Sequence, residues 1–223
     1  MSRGTSNTQS EGFQYLSFMA GKFVKRVPEG TKGSEARELK KGPKAGTMVH
    51  EIKYDTIGGQ IIDIKTEAHD QYGMQLHVFL DVSTVEEPDA KIKLSMSMSS
   101  GPAKGLLSRL PVIDFAKDVV LKGYHIEKKD QPGKFGTYLV PYQDDQKLAS
   151  YYTKEEPKGM PQMVQIKVKG NLVWDDSEQI EFLEALINST EFPGDNTQSE
   201  PTTMPEEPTT TDDSGVEDDD LPF

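Results

Sequence analysis

The stretch MQLHVFLDV, residues 74–82, alternates apolar and polar side chains at every position except Phe79. Successive side chains of a β-strand point to opposite faces of a sheet, so this period of two predicts a strand with one buried face. Phe79 falls on the otherwise polar face, where a large ring is unexpected. Either a stacking platform for a ligand or a cover formed by the N-terminal segment would explain it. The side chains predicted to enter the core are Met74, Leu76, Val78, Leu80 and Val82.

Segments on both sides of this strand show related patterns. A two-residue turn is predicted at Gly58-Gly59, and a second turn at residues 70–73. The chain is therefore expected to contain many short strands joined by turns. The other predicted strands are residues 48–57, 61–66, 91–98, 118–128, 136–142 and 163–173, with a further extended piece at residues 147–153.

Two helices are predicted between and after these strands. Pro102 suits the first position of a short helix, and Pro111 is expected to end it. Residues 175–177 offer capping oxygens for a second, amphipathic helix that runs to about Asn188. Trp174, just before this helix, is expected to pack against it as a hydrophobic staple.

The order of these elements predicts a mainly β fold. It fits an OB-fold-like five-stranded barrel with extra strands, a short helix between strands 3 and 4, and a C-terminal helix. Strand 1 would begin at Met48, and residues 91–98 would form an added strand before the short helix. Other small barrels fit the same order. In an OB fold the ligand crosses strands 2 and 3, flanked by the 1–2 and 4–5 loops. The predicted 4–5 loop, residues 128–134, is basic.

The charge distribution divides the 223-residue chain into three parts. Residues 191–223 contain 11 acidic and no basic side chains, whereas the rest of the chain is nearly neutral. The composition predicts a disordered N-terminus at residues 1–12, one folded domain at 13–190 and a disordered acidic tail at 191–223. The absence of cysteine excludes disulfides and thiolate zinc sites. No apolar signal region or membrane span is evident, so we expect a soluble, cytoplasmic protein without membrane contact.

Basic and aromatic residues are interleaved in several segments of the predicted domain. Between Lys22 and Lys44 the net charge is +5. A single nucleic-acid strand needs this combination, because cations pair with phosphates and aromatic rings stack on bases. An N-terminal strand with a solvated loop, and tyrosines that merely pack the barrel, are the competing explanations. The candidate residues for binding single-stranded DNA are Lys22, Phe23, Lys25, Arg26, Lys40, Lys41, Lys44, Phe79, Tyr124, Lys128, Lys129, Lys134, Tyr138, Tyr151 and Tyr152.

The end of the sequence has a distinctive composition. Asp218, Asp219 and Asp220 run into Leu221, Pro222 and Phe223. A rigid, apolar end that carries a carboxylate suits a basic-rimmed apolar pocket that captures chain termini. This ending resembles the acidic tip of bacterial single-stranded-DNA-binding proteins, in which Asp-Asp-Asp-Ile-Pro-Phe is typical.

The resemblance implies a function. The chain would be a non-enzymatic single-stranded-DNA-binding protein that coats exposed strands and recruits enzymes of replication, recombination and repair. Phe223 would be the anchor, its carboxylate the charge partner, and the three aspartates the steering element. Since the preceding region lacks the motifs of the bacterial housekeeping protein and is longer, the arrangement looks more like the phage-encoded proteins of this kind.

Two alternatives from other functional classes stay open. One is a nucleic-acid enzyme or recombination mediator that carries the same docking tip, and the other is an acidic-tailed scaffold that binds no DNA. No phosphate-binding glycine loop, nucleophile elbow or His-Glu-x-x-His motif is found, and no cofactor is expected. The four histidines, His50, His69, His77 and His125, have no metal-ligand spacing. Asp63 and Glu67 could bind a metal only with a third converging acid. The sequence leaves homo-oligomer formation open.

Overall fold

The computed structural model of the protein describes residues 12–40, 44–70, 72–84, 90–129, 131–168 and 170–194. These residues form 12 strands and two α-helices. The strands are β1 (Phe13–Met19), β2 (Lys22–Val27), β3 (Glu35–Glu38), β4 (Met48–Tyr54), β5 (Thr56–His69), β6 (Gly73–Asp81), β7 (Lys91–Ser97), β8 (Asp118–Glu127), β9 (Phe135–Gln143), β10 (Gln146–Lys147), β11 (Val164–Val168) and β12 (Asn171–Asp175). The helices are α1 (Gly101–Leu107) and α2 (Ser177–Asn188), and a short 3-10 turn spans Leu110–Val112.

Ten strands form one sheet in the order β10-β9-β8-β5-β6-β7-β1-β2-β4-β3. Only β1 and β7 run parallel among these neighbours, and all other pairs are antiparallel. The mainly β prediction is therefore confirmed. The sheet ends at β10 and β3 instead of closing as a five-stranded barrel. The short predicted helix is confirmed as α1 between β7 and β8, and the C-terminal helix as α2.

The alternating patterns predicted the core face correctly. Leu76, Val78 and Leu80 of β6 are fully buried. Burying one such side chain stabilises the fold by about 1.5–3 kcal/mol, which fixes the register of the strand. The core also contains the apolar side of β7, of α1 and of α2, namely Ile92, Leu94, Met96, Leu106, Leu107, Leu183 and Ile187.

The turn predicted at Gly58-Gly59 is wrong. Both glycines lie inside β5, a 14-residue strand. A side chain at Gly59, which has φ of +148°, would collide with the carbonyl oxygen of Asp81. Gly59 therefore lets β5 pass close to the end of β6, and the chain does not reverse at these glycines. The first half of β5 pairs with β8 and the second half with β6. The turn predicted at residues 70–73 is confirmed, because β5 and β6 form a hairpin there.

Predictions for the C-terminal half were partly wrong. Residues 163–173 form a hairpin of β11 and β12, with Gly170 at φ +89° in the turn, instead of one strand. Trp174 belongs to β12 and is 59% exposed, so it does not act as a staple. The extended piece predicted at residues 147–153 is limited to β10, Gln146–Lys147. The helix α1 ends at Leu107, and Pro111 lies in the following 3-10 turn.

The turn between β1 and β2 packs against β8, a strand that is distant from both in the order of the sheet. Its two central residues, Ala20 and Gly21, have positive φ angles of 48° and 74°, as tight hairpins require. A Cβ atom at Gly21 would lie 2.6 Å from the carbonyl carbon of Tyr124. A Cβ atom at Gly123 would in turn collide with the carbonyl oxygen of Gly21. Only glycine fits at this contact between backbones, which brings the β1–β2 hairpin against β8.

Several predictions fall on residues outside the described ranges. They concern Lys41, most of the N-terminal segment 1–12, and the acidic tail from residue 195 to its tip at residues 218–223. These stay predictions. The start of the predicted tail is corrected, because Phe192 is buried against Phe115 and the N–H of Gly194 donates to the carbonyl of Ile62 at 2.9 Å.

Candidate nucleic-acid interface

Strands β6, β7 and β1 carry rings and cations on the face opposite the core. The pairing register places Phe79 opposite Lys93, and Lys93 opposite Tyr15. On the other side of β6, Phe79 lies opposite Asp63 of β5. We call this surface the aromatic face; it consists of Phe13, Tyr15, Lys65, His77, Phe79 and Lys93.

Phe79 lies at the centre of the aromatic face. Its ring contacts the ring of Phe13 edge-on, with 5.4 Å between centroids. The ammonium nitrogens of Lys93 and Lys65 lie 5.5 Å and 5.9 Å from the centroid of Phe79. The N-terminal strand therefore covers one edge of the ring, as one of the two explanations for Phe79 expects. The other explanation, a stacking platform for a ligand, stays a prediction.

A groove of about 450 Å³ adjoins the aromatic face between β1, β2 and β7. Residues 13–17 line it from β1, with Ser95 from β7. Lys25 and Arg26 contribute basic side chains, and Nζ of Lys25 donates a hydrogen bond to Oε1 of Gln14 at 2.9 Å. The groove extends the aromatic face toward the basic N-terminal hairpin.

His77 is the histidine of the aromatic face. Its Nδ1 lies 2.8 Å from Oγ of Ser95, and its Nε2 lies 3.1 Å from a carboxylate oxygen of Glu67. Burial, and secondly the positive charge of Lys93, lower the pKa of His77 below its usual value, although Glu67 opposes this shift. His77 is therefore neutral at neutral pH.

The end of the β8–β9 hairpin forms a second basic and aromatic surface, here called the β8–β9 arm, of which residues 125–129 and 131–138 are described. The rings of His125 and Phe135 stack with 4.7 Å between centroids and an interplanar angle of 9°. Tyr138 and Ile126 are 47% and 54% exposed. The loop is closed by a hydrogen bond from the N–H of Lys128 to the carbonyl of Lys134 at 2.7 Å. Three exposed lysines, Lys128, Lys129 and Lys134, lie in the loop of this hairpin.

Tyr124 lies at the base of the β8–β9 arm. It faces Tyr138 across the two strands, and its hydroxyl lies 2.9 Å from the hydroxyl of Tyr142. This hydrogen bond raises the pKa of Tyr124. Nζ of Lys122 lies 4.3 Å from the ring centroid of Tyr142. Gly21, in the turn of the β1–β2 hairpin, lies against the backbone of Tyr124. The turn of this hairpin therefore lies beside the base of the β8–β9 arm.

Two predicted binding residues are corrected by their burial. Phe23 is fully buried and packs 5.1 Å from the ring of Phe18. Tyr152 is only 9% exposed and packs against Phe182, and burial raises the pKa of its hydroxyl. Neither ring can stack on a base in this fold. Both rings pack in the interior of the fold, which agrees with the competing explanation given in the sequence analysis.

The other predicted residues lie on the surface at several places. Lys22 forms an ion pair with Asp55. Lys40 and Lys44 are exposed in the loop between β3 and β4. Tyr151 is 37% exposed, with Nζ of Lys158 3.7 Å from its ring centroid, and its N–H donates to Ser108 after α1. Tyr151 is therefore held beside the end of α1.

The sequence prediction missed several residues of these surfaces. They are Phe13, Tyr15, Lys65, His77, Lys93, His125, Ile126 and Phe135. Residues 91–98 alternate polar and apolar side chains, and Lys93 lies on the polar side. The sequence pattern could therefore have identified Lys93. Phe13 and Tyr15 reach the aromatic face only because β1 pairs in parallel with β7, a long-range pairing that no local pattern indicates.

The described residues offer little for metal chemistry. Within them no group of three or more histidine, aspartate or glutamate side chains converges. The carboxylate of Asp63 pairs with Nζ of Lys65 at 2.6 Å, and that of Glu67 pairs with His77. No helix in the described ranges has the length and apolar character needed to cross a membrane.

Comparison of the chain with known protein families, with curated proteins and with solved structures gives no match.

Proposed function

We propose that this chain is a single-stranded-DNA-binding protein that coats exposed strands during replication, recombination and repair. The observation that carries the proposal is the aromatic face, in which Phe79 lies between two lysines and beside a second ring. Stacking on an aromatic side chain contributes about 1–3 kcal/mol per base and tolerates any base, because every base has a π-face. The lysines pair with phosphates and make binding dependent on salt.

The centre of the ten-stranded sheet supports an OB-like interpretation of this surface. If β5, β6 and β7 are barrel strands 1 to 3, then α1 follows strand 3, and β8 and β9 are strands 4 and 5. In an OB fold, ligand crosses the face of strands 2 and 3, which here is the aromatic face. The 4–5 loop, which flanks the ligand in an OB fold, is the β8–β9 arm.

The two surfaces differ in their expected roles. The aromatic face provides rings and cations on rigid strands, so it sets the position of the bound strand. The β8–β9 arm adds three exposed lysines and the exposed ring of Tyr138, so it extends the contact along the backbone. Duplex DNA keeps its bases stacked and paired, and cannot present them to Phe79. We therefore expect preference for single strands with little preference for sequence.

The acidic tail gives the proposal its second part. The ending Leu221-Pro222-Phe223 after three aspartates supports recruitment of partner enzymes, with Phe223 as the anchor. A tether that carries 11 acidic residues steers basic partners and is sensitive to salt. This part depends on the sequence resemblance and is independent of the geometry of the aromatic face.

A titration tests the first part directly. Labelled oligo-dT and a duplex of equal length are titrated with the full chain at two salt concentrations, with and without Mg²⁺. We expect stoichiometric, salt-sensitive binding to oligo-dT, weaker binding to duplex and no change in the DNA. Absence of oligo-dT binding at low salt would refute the proposal, and Mg²⁺-dependent cleavage would favour the enzyme alternative.

A further inference from the structure

A row of side chains crosses the aromatic face from strand to strand. The register places Phe79 of β6 opposite Lys93 of β7, and Lys93 opposite Tyr15 of β1. The row therefore presents a ring, a cation and a second ring on three neighbouring strands. Adjacent strands lie about 4.8 Å apart, so the Cα atoms of Phe79 and Tyr15 are separated by roughly 10 Å. Tyr15 is 41% exposed, so part of this residue is accessible to a ligand.

The groove described above begins next to Tyr15, because β1 and β2 separate there. These strands are joined by three register pairs close to their turn. Farther from the turn, Tyr15 lies on one wall of the groove, and Lys25 and Arg26 lie on the other. The hydrogen bond from Lys25 to Gln14 joins the two walls. A ligand that passes from Phe79 over Tyr15 therefore enters a groove of about 450 Å³ with a basic far wall.

Arg26 carries a charge that is not used in the fold. It lies opposite the buried Glu51 in the pairing of β2 and β4. The carboxylate of Glu51, however, accepts its two hydrogen bonds from Arg37. Among the described residues, none forms a hydrogen bond or an ion pair with the exposed guanidinium of Arg26. A guanidinium with available donors suits the bidentate binding of a phosphate.

The carboxylates at the two ends of this row are already paired. Asp63, which lies opposite Phe79 on β5, pairs with Nζ of Lys65 at 2.6 Å. Glu51, at the other end, pairs with Arg37. A phosphate that binds between these ends therefore meets the cations of the row without an unpaired carboxylate of the row beside it. This distribution of charge favours a polyanion.

We propose that the bound single strand continues from Phe79 over Tyr15 into the groove, with a second base on Tyr15 and a phosphate on Arg26. This inference rests on the proposed function and extends the site beyond the strands that we assign to the barrel, onto the β1–β2 hairpin. The bound strand runs across the sheet and meets Phe79, Lys93, Tyr15 and Arg26 in that order. Rings and cations alternate along this path, as the bases and phosphates of the strand require.

Titrations of labelled oligo-dT at several salt concentrations separate the two roles. Tyr15→Ala should weaken binding about fivefold, the lower end of the usual contribution of one base stack, without changing the salt slope. Arg26→Gln should reduce the size of the salt slope by about 0.7, the value for one phosphate, and Arg26→Lys, which keeps the charge, should retain the native slope. Tyr54→Ala is the matched control, because Tyr54 is 38% exposed but lies on β4, outside the aromatic face. This control should bind oligo-dT with native affinity, and circular dichroism checks that every variant is folded.

Photocrosslinking of the unmodified chain shows whether Tyr15 itself contacts a base. Oligo-dT that contains iododeoxyuridine at one position crosslinks on irradiation to an aromatic side chain in contact with that base. The crosslinks should map to Phe79 and Tyr15 and not to Tyr54. Absence of the Tyr15 crosslink, or a native salt slope in folded Arg26→Gln, would overturn this path, and a crosslink at Phe79 would then leave the proposed function standing. A native chain that binds no oligo-dT at low salt would overturn both.

Discussion

Replacing Phe79 by alanine separates ring stacking from phosphate contact on the aromatic face. The ring is half-buried, with one edge against Phe13, so one part of its surface is available to a base. We therefore expect a loss within the lower half of the usual stacking range, about 1.4 kcal/mol, which weakens the affinity for oligo-dT about tenfold. Lys65 and Lys93 remain in place, so the number of phosphate contacts should not change.

Fluorescence anisotropy with labelled oligo-dT over a series of salt concentrations measures both quantities. For single strands, the slope of log K against log salt is about −0.7 per phosphate neutralised. Phe79→Ala should shift this line downward without changing its slope. Phe79→Leu keeps an apolar side chain against Phe13 and removes the π-face, so its affinity should lie nearer to that of alanine than to that of phenylalanine. Circular dichroism checks that both variants are folded. Native affinity in a folded Phe79→Ala protein, or a loss seen entirely as a smaller slope, would refute this assignment.

Three further predictions concern other parts of the molecule. Replacing Lys128, Lys129 and Lys134 together by alanine should reduce the salt slope for oligo-dT by about 2, whereas Lys147→Ala, at the exposed edge strand β10, should leave it unchanged. The lowered pKa of His77 keeps this residue neutral at neutral pH. Protonation in acid, below the usual histidine pKa of about 6.5, adds a cation to the aromatic face, so DNA affinity should rise. The rise should be smaller in His77→Gln. Glu51 is buried and accepts two hydrogen bonds from Arg37, at 2.6 and 2.9 Å, which lower the pKa of Glu51; Arg37→Ala should therefore reduce the free energy of unfolding at pH 7 by about 2 kcal/mol. Since the folded-state pKa of Glu51 lies below its unfolded value, this contribution is present above the unfolded pKa and disappears as pH falls through the folded pKa. Urea denaturation of both proteins at pH 7 and in acid measures it, and an equal difference at both pH values would contradict this account.

Local patterns predicted the core-facing strands and both helices. Alternation identified the buried sides of β6 and β7, because a period of two follows directly from strand geometry. The composition of residues 128–134 identified the β8–β9 loop as basic, since lysines in a turn need no tertiary partner to stay exposed. The burial of Phe23 and Tyr152 could not be predicted in this way. Both stand beside lysines or other tyrosines in the sequence, and only the packing of Phe18 and Phe182 shows that they point inward.

The error at Gly58-Gly59 shows how a long-range contact can override a local sequence pattern. A pair of glycines between apolar segments indicates a hairpin turn when only neighbouring residues are considered. In the fold, Gly59 allows β5 to pass the backbone of Asp81 where a Cβ atom would collide, so the same residues continue a strand. The two predicted strands 48–57 and 61–66 correspond to β4 and β5, but the boundary between them lies at Asp55 and not at the glycines. In the OB-like assignment that we propose, β5 is strand 1 and β7 is strand 3, so the polar side of β7, which includes Lys93, lies beside Phe79 on the surface that we propose binds DNA. Whether a glycine pair continues a strand or reverses the chain therefore depends on the backbone that packs against it, which is a long-range property.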